Sequence, residues 1–156
     1  MDNAKSINCT GKTLAYLLPI LERLLYLSSN SPAVTRVLIL VPTRKLGTQD
    51  YQTAIQVAHC YASCVKIGEL HGNLSQPQRM ENIKKFKNEE IDVLITTDVA
   101  ACGSDISVVK TVINFVMPAT MQHYIHRVGR TARAGKTGVS VSLADEQERS
   151  LVKDIH

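Results

Sequence analysis

Aromatic residues are scarce in this chain of 156 residues: they make up 4% of it, and tryptophan is absent. Reading single-stranded nucleic acid by base stacking needs aromatic platforms. The scarcity argues against that mode and leaves the phosphate backbone as the handle for any nucleic-acid partner. A bilayer-spanning run is also lacking. The most apolar stretch, Leu14–Leu27, carries Pro19, Glu22 and Arg23 and reads as a packed helix. Of the cysteines Cys9, Cys60, Cys64 and Cys102, only Cys60 and Cys64 are close in sequence, with no second pair or histidine cluster to complete a zinc site. Reduced thiols are the expectation. There is no internal repeat and no low-complexity tract.

What is present is ordinary for one soluble domain with a sizeable core: 44% hydrophobic and 21% charged residues. Eighteen Lys and Arg against 14 Asp and Glu leave a net charge of +4, which permits a nucleic-acid partner without requiring one.

Periodicity organises the chain. Leu14, Leu17, Leu18, Leu21, Leu24 and Leu25 recur at helical spacing, with Pro19 marking a kink or an early turn. After the loop signal SSNSP at 28–32, Arg36–Val41 is a continuous apolar run of the kind found in buried parallel strands. A helix over about Lys45–Tyr61 follows, then a strand at Val65–Leu70. A helix capped by Ser75, with Pro77 in its first turn, comes next. Strands at Ile91–Thr96 and Val108–Val116, a helical stripe Met121, Tyr124, Ile125 and Val128, and a strand at Gly138–Leu143 lead to a charged terminal helix opened by Asp145. Strands alternating with helices predict an α/β domain with a mainly parallel sheet, its function carried on loops at the strand C-terminal ends.

Three polar clusters fall at those ends: Glu69–Gly72 with Gln76 and Arg79; Thr97–Asp105; and His126–Gly135, in which Arg127, Arg130 and Arg133 recur every third residue. On a helix end or tight turn that spacing aims guanidinium groups to one side, and Arg makes forked hydrogen bonds to phosphate. The same spacing equally suits a solvated basic loop.

The wording of these clusters adds a resemblance. HRVGRTARAG resembles motif VI of the DEAD-box ATP-dependent RNA helicases, TTDVAACGSDI their motif V, and ELHGNLSQPQR their motif IVa, in the family's order and spacing. The resemblance implies a RecA-like three-layer domain. It implies that Arg130 and Arg133 are arginine fingers for a transferring γ-phosphate, and that His126 senses a second domain. Gly103 and Asp105 are implied to lie at the nucleotide ribose, and Gly72, Gln76, Arg79 and Thr97 on or near the RNA backbone path. The branch it resembles is nucleolar and concerned with large-subunit ribosome assembly, which implies pre-ribosomal particles as partners and nuclear, nucleolar residence.

The N-terminal third is similar to the partner domain of the same family. Gly11, Lys12 and Thr13 resemble the end of a Walker A loop, which implies nucleotide binding. LVPTRKLGTQ at 40–49 resembles motif Ia, which implies RNA-phosphate contacts for Thr43 and Arg44. Residues 1–33 are thus expected to be a remnant of the ATP-binding domain. Residues 34–156 are expected to form the C-terminal domain, with 34–61 borrowed from the motif Ia region, Arg36–Val41 replacing the missing first strand and Met1–Asn30 left as an appended helix with a frayed start. Cys9 stands where the family has a loop glycine, Cys102 where motif V has arginine and Ser104 where it has leucine. The DEAD and SAT motifs are missing. The family uses ATP with Mg²⁺, and phosphoryl transfer needs the metal and an oriented water as well as arginines. The expectation is therefore a helicase-like protein that is not a competent ATPase alone, with no metal ligands of its own. The competing reading is a non-catalytic module that binds RNA or competes for a helicase's partners.

Overall fold

The computed structural model describes residues 3–28, 37–62, 64–102, 106, 109–118, 120–132, 137–144, 146–148 and 152, with the side chains of 3–10, 12, 26–28, 61, 102 and 147 set aside. Ten elements build it: α1 (Asn3–Ser28), β1 (Val37–Val41), α2 (Arg44–Tyr61), β2 (Ile67–Leu70), α3 (Gln76–Lys87), β3 (Val93–Thr97), α4 (Asp98–Cys102), β4 (Thr111–Asn114), α5 (Met121–Val128) and β5 (Val139–Ser142). Glu146–Glu148 form a 3₁₀ turn, and most of the expected charged terminal helix lies outside the described residues.

The five strands form one sheet in the order β2-β3-β1-β4-β5, and every pairing is parallel. β1 is central. Val37–Val41 pairs with Val93–Thr97 on one side, and Val37–Leu40 with Thr111–Asn114 on the other. That placement explains why VLILV is apolar throughout: a central strand is buried on both faces, so neither half of the alternation meets water. Val37, Ile39 and Val41 join Val93, Ile95 and Ile113 beneath α1 and α2, whereas Leu38 and Leu40 join Leu94, Val112, Leu70 and Phe86 on the face covered by α3 and α4. The result is the expected three-layer α/β fold.

The N-terminal helix, expected to be appended, packs into the core of the sheet. Tyr16, Leu17, Ile20, Leu21 and Leu24 are buried in the same core as the sheet, and Leu17 and Leu21 are fully so. Tyr16 meets Phe115 edge to face, ring centroids 5.4 Å apart. Pro19 lies inside the helix on its exposed side and is not an early turn. The GKT segment is also helical, not a loop. Thr13 is buried, and its hydroxyl donates to Asp50 Oδ1 at 2.7 Å, while the Tyr16 hydroxyl donates to Asp50 Oδ2 at 3.1 Å. Without flexible glycines around it, a Thr-, Leu- and Ala-containing segment continues the helix that its apolar stripe anchors.

Thr43 caps α2 by accepting from the Leu46 N–H at 3.2 Å. Ser75 caps α3, its N–H and hydroxyl both donating to Gln78 Oε1 at 3.0 and 2.8 Å, with Pro77 in the first turn as expected. These two caps start helices directly behind the C-terminal ends of β1 and β2, where the polar clusters gather.

Candidate functional site

The first cluster lies beyond β1, β2 and β3. Arg44 is exposed, and its guanidinium lies against Gly72: a Cβ at position 72 would sit 2.5 Å from Arg44 Cζ and 2.6 Å from Nε. Glycine lets the guanidinium lie this close, and a larger residue would push the flexible Arg44 side chain aside. Arg44 has no ion-pair partner among the described residues. Arg79 donates through NH2 to Gln76 Oε1, and its Nε is buried with no partner among the described residues. Thr97 ends β3, buried and level with Val41 of β1. Beneath the cluster His71 is buried, its Nε2 2.8 Å from Glu69 Oε2 and 3.2 Å from Thr48 Oγ1. Thr43, Arg44, Gly72, Gln76, Arg79 and Thr97 therefore all fall at one edge of the sheet, and Arg44 and Gly72 are in direct contact.

The second cluster is a cleft of about 340 Å³ between α4 and α5, lined by Leu40, Asp98, Val99, Ala101, His123, His126, Arg127 and Arg130. Arg127 forms its wall. The guanidinium is buried and forked onto Asp98, Nε to Oδ1 at 2.6 Å and NH2 to Oδ2 at 2.5 Å, with NH1 donating to the Val116 carbonyl at 2.7 Å. Every edge of that arginine is thereby occupied. Arg130 and His126 line the cleft without such a partner among the described residues.

Of the three arginines expected to aim one way, Arg127 and Arg130 line the same cleft from different backbone settings, and Arg133 lies outside the described residues. α5 ends at Val128 and is capped at Gly129, so Arg127 turns inward one turn after Tyr124, while Arg130 lies past the cap. Thr131 then anchors the turn, its hydroxyl donating to the Val109 carbonyl at 2.7 Å. A Cβ at position 138 would lie 2.7 Å from the Ala132 backbone nitrogen and closer still to Thr131 Oγ1, so glycine is enforced there. Gly103, Asp105 and Arg133 lie outside the described residues, as does the Lys12 side chain. Asp98, Arg127 and His71 are residues the sequence reading assigned no role.

Gly11, Lys12 and Thr13 sit in α1, far along the helix from its start at Asn3. Backbone N–H groups in a helix interior are committed to the turn before, so they cannot wrap a phosphate. Thr13's hydroxyl is spent on Asp50.

Residues 17–135 match the family described as helicase conserved C-terminal domain. The chain belongs to that family. Among solved structures, this helicase C-terminal domain is similar to domain 2 of the DEAD-box helicase Mss116p bound to an RNA duplex, with a TM-score of 0.75, 30% identity and coverage of 94% of this chain and 55% of that one. It is similar also to the E. coli DEAD-box protein SrmB bound to regulator of ribonuclease activity A, with a TM-score of 0.70 and 31% identity over 94% of this chain and 78% of that one. Among curated proteins it is 64% identical over 91 residues to the human "Probable ATP-dependent RNA helicase DDX27", which is 58% of this chain and 12% of that protein. The match thus spans about an eighth of the length of that curated relative. The RecA-like fold and the DEAD-box helicase C-terminal identity expected from motifs IVa, V and VI are both borne out. No described helix is long and apolar enough to cross a membrane.

Proposed function

We propose that this helicase C-terminal domain binds RNA through the phosphate backbone, with Thr43, Arg44, Gly72, Gln76, Arg79 and Thr97 along the path. Arg130, Arg133 and His126 face a nucleotide held by another domain, and Gly103 and Asp105 lie at its ribose. The observation that carries the reading is the gathering of exposed donors at the strand C-terminal ends, headed by an Arg44 guanidinium laid on Gly72 with no ion-pair partner among the described residues. Parallel α/β sheets place ligands at that edge, and arginine is the side chain suited to forked phosphate contacts. Backbone contact without stacking also accords with the 4% aromatic content and implies low sequence specificity.

The described residues do not form a magnesium–ATP site. The GKT segment is helical, and Asp98, the carboxylate lining the cleft, has both oxygens engaged by Arg127. The domain is therefore a non-catalytic partner unless a second domain supplies the nucleotide. The motif wording that resembles the nucleolar, ribosome-assembly branch extends the proposal to pre-ribosomal RNA as ligand and the nucleolus as location, which imaging of the tagged chain checks.

The test is ATP hydrolysis and RNA binding by the purified chain, with single-stranded RNA, beside an Arg130→Ala/Arg133→Ala variant. The expected result is RNA binding that weakens steeply with salt, and no turnover. RNA-stimulated turnover abolished in the variant overturns the non-catalytic reading, and salt-insensitive or absent RNA binding overturns the backbone reading.

A further inference from the structure

Arg44 and Gly72 come from opposite sides of the sequence resemblance: Arg44 from the segment that resembles motif Ia, Gly72 from the segment that resembles motif IVa. Something has to hold a surface arginine, with its many rotamers, against a backbone carbon it did not begin beside. Holding it there costs side-chain entropy, which is greatest for long flexible residues such as arginine. The candidate is the buried histidine one residue before Gly72.

His71 is 2% exposed, and both of its ring nitrogens are engaged. The Asn73 N–H donates to Nδ1 at 3.4 Å, so Nδ1 is the acceptor and Nε2 carries the proton. That one proton goes to Glu69 Oε2 at 2.8 Å, and Thr48 Oγ1 lies 3.2 Å from the same nitrogen. Thr48 passes the connection on, its hydroxyl donating to the Arg44 carbonyl at 3.2 Å. Glu69 is fixed from the far side, its carbonyl accepting from Asn82 Nδ2 of α3 at 2.9 Å. Gly47 completes the fit, since a Cβ there would lie 3.3 Å from His71 Cδ2. The ring therefore links α2, whose first residue is Arg44, to the turn after β2, which carries Gly72.

We infer that His71 is a positioning residue that, through Thr48 and Glu69, holds Arg44 on Gly72 so that the guanidinium presents a pre-formed contact to an RNA phosphate; this rests on the RNA-backbone reading above. The ring touches no ligand. Its contribution is preorganisation, by which affinity rises because the ordering cost is met before binding. The segment resembling motif Ia then supplies not only a central strand but also Arg44, Gly47 and Thr48, the three residues through which the site is assembled.

The experiment uses the full chain and a fluorescently labelled oligo-uridine RNA, with the salt dependence of binding measured for wild type, Arg44→Ala, His71→Ala, His71→Gln, Thr48→Ala and the Arg44→Ala/His71→Ala double variant. Arg44→Ala is expected to weaken binding about tenfold, the loss of one charge-assisted hydrogen bond, and to flatten the plot of log affinity against log salt by about 0.7, one single-strand phosphate contact. His71→Ala is expected to reproduce most of both effects and to add little to Arg44→Ala in the double variant. His71→Gln, whose amide N–H stands in for Nε2–H, is expected to restore them. A purely structural role would lower stability without moving the salt slope.

A second readout needs no RNA: the Arg44 Nε–H resonance of the free protein, expected to be ordered in wild type and His71→Gln and averaged in His71→Ala and Thr48→Ala. Thr48→Ala covers the case in which His71→Ala fails to fold. If the Arg44 signal and the salt slope stay unchanged in both alanine variants while Arg44→Ala weakens binding, the positioning role is overturned and the RNA reading survives. If wild type binds no RNA, the RNA reading falls, and the Arg44 resonance alone decides whether His71 orders that side chain.

Discussion

Asp50 and Asp98 each join one helix to another, but Asp50 is met by two hydroxyls and Asp98 by a guanidinium. Asp50 is 1% exposed, and its listeners are the Thr13 and Tyr16 hydroxyls. Burial pushes its carboxyl above the ordinary range, with the two hydroxyl donors pulling the other way. The same burial, and then the Asp50 charge, raise the Tyr16 phenol. At Asp98 the carboxylate is open to water, its side chain 42% exposed, and it is the cation that is buried. The difference separates the two parts of the chain. Where the sequence resembles a partner domain's P-loop, polar side chains have been turned inward to pack α1 on α2. In the stretch resembling motifs V and VI, one arginine is sacrificed to build a wall, and its neighbours are left facing a cleft.

The largest effect should come from breaking the wall. Arg127→Ala removes a forked pair and orphans the Val116 carbonyl. Losing one partner of a fully buried pair costs more, but Asp98 can rehydrate, so about 2–3 kcal/mol is expected. Chemical denaturation reads it. Arg127→Lys should recover less than half, because an ammonium cannot fork. An unchanged midpoint in Arg127→Ala would erase the contrast with Asp50.

The second effect is smaller and depends on pH. The Asp50 pKa is raised in the fold, so the fold favours the neutral carboxyl. The stability that Asp50 contributes is fully present below its ordinary value of 3.8 and is lost as pH rises through the raised folded value. Asp50→Asn has no such titration. The stability of the variant relative to wild type is therefore expected to increase as pH rises from below 3.8. Tyr16→Phe, which deletes one donor, should cost about 1 kcal/mol, and more as pH rises and Asp50 ionises. Thermal melts across pH check both. A variant that tracks wild type at every pH means Asp50 does not titrate differently in the folded state.

Much of this architecture was legible in the sequence, for identifiable reasons. VLILV could only be a strand buried on both faces, and it is the central one. Ser75 with Pro77 behind Gly72 announced a helix start. The motif order placed the polar clusters at the strand ends. What failed was local: three residues, Gly11 to Thr13, were read by their resemblance to a phosphate loop, whereas the leucine stripe that follows them decides the conformation and carries it into α1. Whether an amphipathic helix packs in a core or hangs beside it is not written in its periodicity, and here Leu17 and Leu21 are fully buried. Nor could spacing reveal that Arg127 finds its carboxylate 29 residues away. Contacts across that separation depend on the order of strands in the sheet, which the sequence does not state.

Arg130 supplies the smallest expected effect and the sharpest control. It stands three residues from Arg127 in the same motif, yet beyond the Gly129 cap, so it does not share the inward face of α5. What Arg130 gives to the fold is its backbone: its carbonyl accepts from the Val109 N–H at 3.0 Å, and its N–H donates to the Arg127 carbonyl at 3.1 Å. Alanine keeps both bonds. Its side chain lines the cleft with no ion-pair partner among the described residues, so Arg130→Ala should move the denaturation midpoint by no more than about 0.5 kcal/mol. Measured beside Arg127→Ala, the pair separates architecture from function within one motif. A loss at Arg130 comparable to that at Arg127 would make both arginines structural and leave the cleft without its proposed phosphate-facing cation. A loss near zero leaves Arg130 available to whatever anion a second domain brings to that cleft.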